Sequence, residues 1–368
     1  MGVNTVTDKL SKHELLSKWI EDNIANNTFS PGTKIPSENE LATKFTISRQ
    51  TVRQAIGNLV SKGILIREQG SGTYVNNTVI TPILKETKRI GVITTYLDDY
   101  IFPTIIHGIE EVLTMNGYTL SLGITHNKTS DEENCLLKMM QSGVDGLIIE
   151  GTKTALPNTN LSLYNKLIES KIPMVFINGY YYDYKGSYVV MDDVKAGETL
   201  TNILIEKGHE RIAGIFKSDD IQGAKRYEGM QKSLKNHSMY RDDSLILWYT
   251  TEDFKYLFGG SMDKMILERF KDVTAIVCYN DLVAAEMIQL LKRNNLSVPD
   301  DISFVSFDNS FLAKQIVYNL TSAVYPFKKI GKKSAQILLQ SIQNPQHMEQ
   351  INLVPSIKLR GSIKKIQG

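Results

Sequence analysis

Cysteine is nearly absent from this chain: Cys135 and Cys278, 143 positions apart, are the only two in 368 residues. Neither has a CxxC partner or a histidine at ligand spacing, which excludes a disulfide framework and a zinc site of the usual kind. Long apolar runs are missing too. The longest stretches, GLIIE at 146–150 and AIVCY at 275–279, are strand-length and far short of the ~20 residues a bilayer needs. The opening MGVNTVTDKLSKHELL has no apolar core of a secretory leader, so a cytoplasmic protein is expected. No charge dominates: 42 Lys+Arg against 40 Asp+Glu leaves +2, which excludes a polybasic coat. The six histidines are scattered, and no GxSxG, HExxH, P-loop or GxGxxG stands where its chemistry requires it. No enzyme is expected. The dyads Asp98-Asp99 and Asp219-Asp220 have no histidine beside them and read as solvated loop acids, so no metal is expected either. What remains is an ordinary globular composition, 42% hydrophobic and 22% charged, long enough for two or three domains.

The near-zero net charge conceals an asymmetry. From Ala42 to Arg67 come Lys44, Arg49, Arg53, Lys62 and Arg67 without one Asp or Glu. That stripe falls on a legible local plan. Leu15, Leu16, Trp19, Ile20 and Ile24 recur at helical spacing between Lys12 and Asn26. Pro31-Gly32 breaks the chain; Ser37 with Glu40 forms a capping box for a short helix through Phe45. Ser48 caps a third helix through about Ser61, with Val52, Ile56, Leu59 and Val60 inward, and Gly63 stops it. ILIR at 64–67 and GTYV at 72–75 read as two short strands joined at Gln69-Gly70-Ser71. This is a winged helix-turn-helix, an α+β plan whose third helix enters the DNA major groove by its first residues. Arg49 and Arg53 lie one turn apart on one face. An arginine fork suits guanine O6 and N7, the Gln50 amide suits adenine, and Ser48 and Thr51 can hold phosphates at the helix start.

Residues 77–88 are polar, contain Pro82 and have no clean period, so they read as a linker between a head at 1–76 and a body at 89–368. In the body, continuous apolar strands (RIGVITT, DGLIIE, MVFIN, RIAGIF, AIVCY, ISFVSF) alternate with helices, one of them expected over Phe254–Phe270. That pattern means parallel sheets covered on both faces, and the number of units fits two α/β lobes.

The segment PGTKIPSENELATKFTISRQTVRQAIGNLVSKGILIREQGSGTYV resembles the DNA-binding domain of the GntR family of bacterial transcription regulators. The resemblance implies DNA contacts at Arg49, Gln50, Thr51 and Arg53, joined by Glu38, Asn39, Gln69 and Gly70. Glu38 is open to three roles: accepting from a cytosine amine, orienting an arginine, or stabilising the helix start. Lys12 is either a phosphate contact or a solvated lysine. The body is similar instead to the sugar-binding domain of LacI/GalR regulators and periplasmic sugar-binding proteins, through DGLIIEGT, MDDVKAGETLTNILIEKGHERIAGI, GAKRYEGM, CYNDLVAAEMIQLL, VPDDISFVSFDNS and LTSAVYPFKKIG. The LacI-type hinge helix is missing from the linker. The combination is most similar to the arabinose-responsive repressors of Gram-positive bacteria. It implies a homodimer that binds double-stranded operator DNA, no cofactor, and L-arabinose or a similar sugar as effector.

The residues at the strand ends suit that chemistry. A sugar needs planar hydrogen-bonding groups and aromatic faces at the carboxyl ends of parallel strands. Tyr96, Tyr100 and Phe102 follow the first body strand, Lys153 follows DGLIIE, and Arg226 lies past RIAGIF. Asn280 follows AIVCY, Asp308 follows ISFVSF, and Tyr325 sits in a later crossover. The resemblance further matches Arg226, Asn280 and Asp308 to the sugar-binding residues of the family. Asp192-Asp193 either caps the next helix or lines the cleft, with capping favoured. Two alternatives stay open: a cytoplasmic sugar-binding protein or enzyme with a DNA-binding-like appendage, and a regulator of another sugar or a nucleoside.

Overall fold

Helix boundaries in the head are set by side chains that satisfy backbone amides. The computed structural model of the chain describes residues 11–25, 28–68, 70–76, 87–97, 101–239, 242–315 and 319–366. Gln69, Asp98, Asp99, Tyr100 and the linker at 77–86 lie outside these residues. The chain divides into two compact units, Met1–Thr87 with Met140–Gly143, and Lys88–Met139 with Val144–Gly368.

The first unit holds α1 (Lys12–Ala25), α2 (Glu38–Phe45), α3 (Arg49–Ser61), β1 (Leu65–Glu68) and β2 (Gly72–Val75). Ser37 Oγ accepts from Glu40 N at 3.3 Å while Glu40 Oε2 accepts from Ser37 N at 2.7 Å, the reciprocal capping box that starts α2. Ser48 Oγ accepts from Thr51 N at 3.1 Å and starts α3. Gly63, at φ 70°, turns the chain out of α3 where a side chain would be strained. The antiparallel hairpin pairs Leu65 with Val75 and Glu68 with Gly72. Leu16, Ile20, Leu41, Val52, Ile56, Leu59, Leu65 and Val75 close the core beneath it.

The second unit is built on two six-stranded sheets. Its elements in chain order are β3 (Arg89–Thr94), α4 (Phe102–Met115), β4 (Thr119–Ile124), α5 (Thr129–Ser142), β5 (Gly146–Ile149), α6 (Leu161–Glu169), β6 (Met174–Ile177) and β7 (Ser187–Met191). There follow α7 (Asp193–Glu206), β8 (Ile212–Lys217), α8 (Ile221–Asn236), β9 (Ile246–Tyr249), α9 (Phe254–Leu257), α10 (Asp263–Arg269), β10 (Ala275–Cys278) and α11 (Asp281–Arg293). The last are β11 (Ser303–Asp308), α12 (Phe311–Lys314), β12 (Thr321–Val324), α13 (Phe327–Gln343), β13 (Gln350–Leu353) and β14 (Ser356–Lys358). The amino-terminal lobe carries a parallel sheet in the order β13-β7-β6-β5-β3-β4. The carboxy-terminal lobe carries β14-β12-β11-β10-β8-β9, parallel except for β14 at its edge. Helix α13 packs on the first sheet and α7 on the second, so the chain crosses between lobes at 191–193, 324–327 and 353–356.

Two features differ from the sequence reading. The helix expected over Phe254–Phe270 is broken into α9 and α10, because Gly259-Gly260 intervenes and Gly260 takes φ 94°. The crossover at Tyr325 was expected, but the elements after it, α13, β13 and β14, and the third crossing were not placed: β13 and β14 are too short to show a period, although α13 carries a helical one.

Helices α4 and α13 cross so closely that a Cβ on Gly108 would lie 2.5 Å from Lys328 O, and one on Gly331 would press on Ile105 O. Both obstacles are backbone and cannot swing away. Gly331→Ala is therefore expected to cost about 1–3 kcal/mol by overpacking, measured as a lower urea midpoint with an unchanged slope.

Candidate functional site

In the head, the exposed start of α3 presents Arg49 and Gln50, and Ser48 Oγ lies 2.8 Å from Thr51 Oγ1 beside them. Arg49 has no side-chain partner among the described residues. Arg53 differs: its Nε donates to Glu38 Oε2 at 2.7 Å, and Arg67 Nη2 from β1 approaches Glu38 Oε1 at 3.5 Å. Glu38 thus stands between α2, α3 and the hairpin and orients two arginines. Of its three possible roles, the geometry favours this one. Asn39, Lys12 and Gly70 are exposed, Gly70 at φ 78° in the hairpin turn.

In the body, the carboxyl ends of β3, β5, β6, β8, β9 and β10 face one another across a cavity of about 640 Å³ between the two lobes. Open α/β sheets offer this place to ligands because loops and helix starts converge there. Of the residues expected to bind ligand, Tyr96, Phe102 and Asn280 line the cavity. The Asn280 side chain also caps α11, its Oδ1 accepting from Val283 N at 3.0 Å. Aromatic faces come from Tyr249, Phe254, Tyr279 and Phe311 as well. Polar groups include Asn127, Glu150, Asn178, Lys217, Asp220, Gln222 and Thr251.

These polar groups are pre-oriented. Glu150 accepts from Thr95 N at 2.8 Å, Thr95 Oγ1 at 2.6 Å and Asn178 Nδ2 at 3.0 Å. Burial nevertheless holds its carboxyl above the usual range. Burial also works against the Lys217 ammonium, but Asp220 at 3.3 Å and Asp219 at 3.7 Å outweigh it and raise the pKa. Asn178 takes φ 62° and Asp308 φ 95°, left-handed conformations stored at the cavity edge and floor.

Arg226, Asp308 and Tyr325 form the support beneath that surface. Arg226 is 1% exposed. Its Nε donates to Asp193 Oδ1 at 2.7 Å and its Nη1 to Tyr279 O at 2.6 Å, while Nη2 lies 3.6 Å from Asp308 Oδ1. The guanidinium lies between the Tyr279 and Phe307 rings, 4.8 and 4.5 Å from their centroids. Burial opposes its charge, yet Asp193 and Asp308 more than compensate and raise its pKa. Tyr325 OH donates to Asn178 Oδ1 at 3.0 Å, so it acts through a cavity residue. Lys153 sits at the rim with its ammonium on Glu252 at 2.6 Å. Asp192 caps α7 through Lys195 N at 2.9 Å, while its neighbour Asp193 is buried on Arg226.

Sequence reasoning missed Glu150, Asn178, Lys217 and Asp220. The signal was available, since Glu150 and Asn178 are the last letters of DGLIIE and MVFIN. Asp219 and Asp220 correct the expectation of solvated loop acids. Asp219 is buried with Thr251 N at 3.0 Å and Thr251 Oγ1 at 2.7 Å on its Oδ2, and Asp220 accepts from Gly223 N at 2.8 Å. Among the described residues, no three His, Cys, Asp or Glu side chains are grouped to hold a metal ion, and no helix is long and apolar enough to cross a membrane.

Two family descriptions match parts of the chain. Residues 15–75 match the family described as bacterial regulatory proteins, gntR family, and residues 201–363 match the periplasmic binding protein-like domain. The chain is 40% identical over 363 residues to the arabinose metabolism transcriptional repressor of Geobacillus stearothermophilus, covering 96% of this chain and 97% of the relative. It is 37% identical over 336 residues, 90% of each chain, to the arabinose metabolism transcriptional repressor of Halalkalibacterium halodurans. Among solved structures, the transcriptional regulator CelR–cellobiose complex shares the fold, with a TM-score of 0.67 at 20% identity over 89% of this chain and 100% of that one. Transcription regulator CcpA of Lactococcus lactis gives a TM-score of 0.66 at 25% identity over 76% of this chain and 100% of that one.

Removing the Arg226 charge leaves Asp193 and Asp308 buried without their cation. Arg226→Met is expected to lower the stability of the second unit by about 3–5 kcal/mol. The measurement is urea unfolding followed by Trp248 fluorescence in a Trp19→Phe background; a loss below about 1 kcal/mol would contradict this account.

Proposed function

The chain belongs to the family of arabinose metabolism transcriptional repressors, and on that premise we propose that its effector is L-arabinose, bound in the cleft between the lobes and releasing the repressor from its operator. The observation that carries this reading is the cavity itself. Its wall mixes aromatic faces with carboxylate, amide and ammonium groups at opposed strand ends, as a small polyol requires. In this reading Tyr96 stacks on the sugar's C–H face with Phe102 buried behind the wall, while Glu150, Asn178, Lys217 and Asn280 meet its hydroxyls. Arg226, Asp308 and Tyr325 fix those groups from beneath.

On the DNA side, Arg49, Gln50 and Arg53 read base edges, with Glu38 aiming Arg53. Ser48, Thr51, Asn39, Lys12 and the wing at Gln69-Gly70 contact the backbone. Two copies pair, so that two α3 helices enter successive major grooves about 34–36 Å apart on a palindromic site. The repressor acts in the cytoplasm and carries out no catalysis.

Ligand and operator are coupled only if the sugar prefers the dimer geometry that binds DNA poorly. L-Arabinose at saturation is expected to weaken operator binding about 100-fold, a coupling of about 2.7 kcal/mol. Fluorescence anisotropy of a labelled operator, titrated with a panel of pentoses, hexoses and nucleosides, measures it. A response to another compound alone would change the effector, and unchanged affinity throughout the panel would remove sugar control. Separately, Arg53→Ala is expected to cost about 1–3 kcal/mol on the cognate operator and little on random DNA. Equal losses on both, with a flatter salt dependence, would assign Arg53 to phosphate instead.

A further inference from the structure

Polar contacts join the two lobes far from the points where the chain crosses between them. The crossings at 191–193, 324–327 and 353–356 involve β7, β12, β13 and β14, which lie toward one edge of each sheet. The opposite edges are β4 and β9. From the loop after β4, Asn127 Nδ2 donates to Thr251 Oγ1 at 2.6 Å, just past β9, and lies 3.5 Å from Asp219 Oδ2. From the loop after β5, Lys153 Nζ reaches Glu252 Oε1 at 2.6 Å and Asp219 Oδ2 at 3.9 Å. Lys153 is held for that reach by a left-handed backbone, φ 48°, and by its own N–H, which donates to Asn127 Oδ1 at 3.0 Å.

We propose that Lys153 and Glu252, with Asn127 and Thr251 behind them, form a latch that holds the cleft closed and so sets how tightly the effector binds, without Lys153 or Glu252 touching it. The proposal rests on the reading of the cleft as the effector site. Three features carry it. Neither Lys153 nor Glu252 lines the cavity, whereas Asn127 and Thr251 stand at its wall. Asn127 and Glu252 follow β4 and β9, the edge strands farthest from the crossings, where rotation of one lobe on the other separates atoms most, and Lys153 reaches Glu252 from the more central β5. The latch also releases without stranding a charge. On opening, Asp219 keeps Thr251 N, Thr251 Oγ1 and the Lys217 ammonium, all from its own lobe. Glu252, 59% exposed at its side chain, returns to water, and Lys153, 20% exposed while the latch is made, gains it as the lobes part. The bond is therefore weak enough to break and screened by salt. A closed state that is only partly populated lowers apparent affinity by that fraction.

The test uses the full chain with Lys153→Met, Glu252→Ala, both together, and the reversed pair Lys153→Glu with Glu252→Lys. Small-angle scattering without sugar and L-arabinose titration by calorimetry are read for each. Either single variant is expected to raise the sugar-free radius of gyration and to weaken L-arabinose binding about two- to fivefold. The double variant should match a single one, and the reversed pair, which sets a Glu at 153 beside Asp219, should not recover the loss. High salt should reproduce the effect in the unaltered chain alone. Additive losses, or a sugar-free profile that no variant changes, would overturn the latch. So would a loss above tenfold for Lys153→Met with none for Glu252→Ala, which would make Lys153 a direct ligand. If the unaltered chain binds no L-arabinose, the effector assignment fails, and the sugar-free scattering still decides the latch.

Discussion

One buried cation organises the body of this protein. Arg226 is taken from water into a place where its charge is tolerated only because Asp193, Asp308 and the Tyr279 carbonyl surround it. Those partners come from the first crossing between lobes, the end of β11 and the end of β10. Satisfying the guanidinium therefore fixes where two strand ends and a crossing segment meet, directly under the cavity. Helix α8, which carries Arg226, lies against α7 so closely that a Cβ on Gly197 would strike Arg226 O. The helix pair and the ion pair specify the same position. Buried ion pairs contribute little net stability, but they penalise every arrangement that separates their members.

The head obeys a different logic, in which the charges are exposed and the organisation is local. Beside its basic stripe stands Glu38, which holds Arg53 and Arg67 without neutralising Arg49. An arginine fixed in advance loses less rotamer freedom on meeting a base. The capping box at Ser37 and Glu40 starts α2 at the residue that bears this duty. Local backbone chemistry and recognition are thus joined within four residues.

That contrast explains what could be read from the sequence. The capping box, the Ser48 cap and the stop at Gly63 involve groups three or fewer residues apart, so three helices and a hairpin were legible almost to the residue. In the body, alternation of strands and helices gave the parallel sheets, and the rule of strand ends gave Tyr96, Phe102 and Asn280. The same rule could not separate wall from floor. Whether a strand-end side chain faces the cavity depends on partners such as Asp193, which lies 33 positions from Arg226. Asp219 looked solvated because nothing near it in sequence reveals Thr251 and Asn127, both brought to it by the fold.

Three strands of backbone join the lobes at one side, rather than a single tether. A lone connection would leave one half free to swivel and tilt in any direction. Three side by side suppress twisting and sliding, and leave bending about their common line as the soft coordinate. Capture of a molecule between the lobes would then produce a displacement whose direction is dictated by the scaffold and not by the molecule's shape. Different small ligands seated in such a jaw would drive the same stroke, and only its extent would vary.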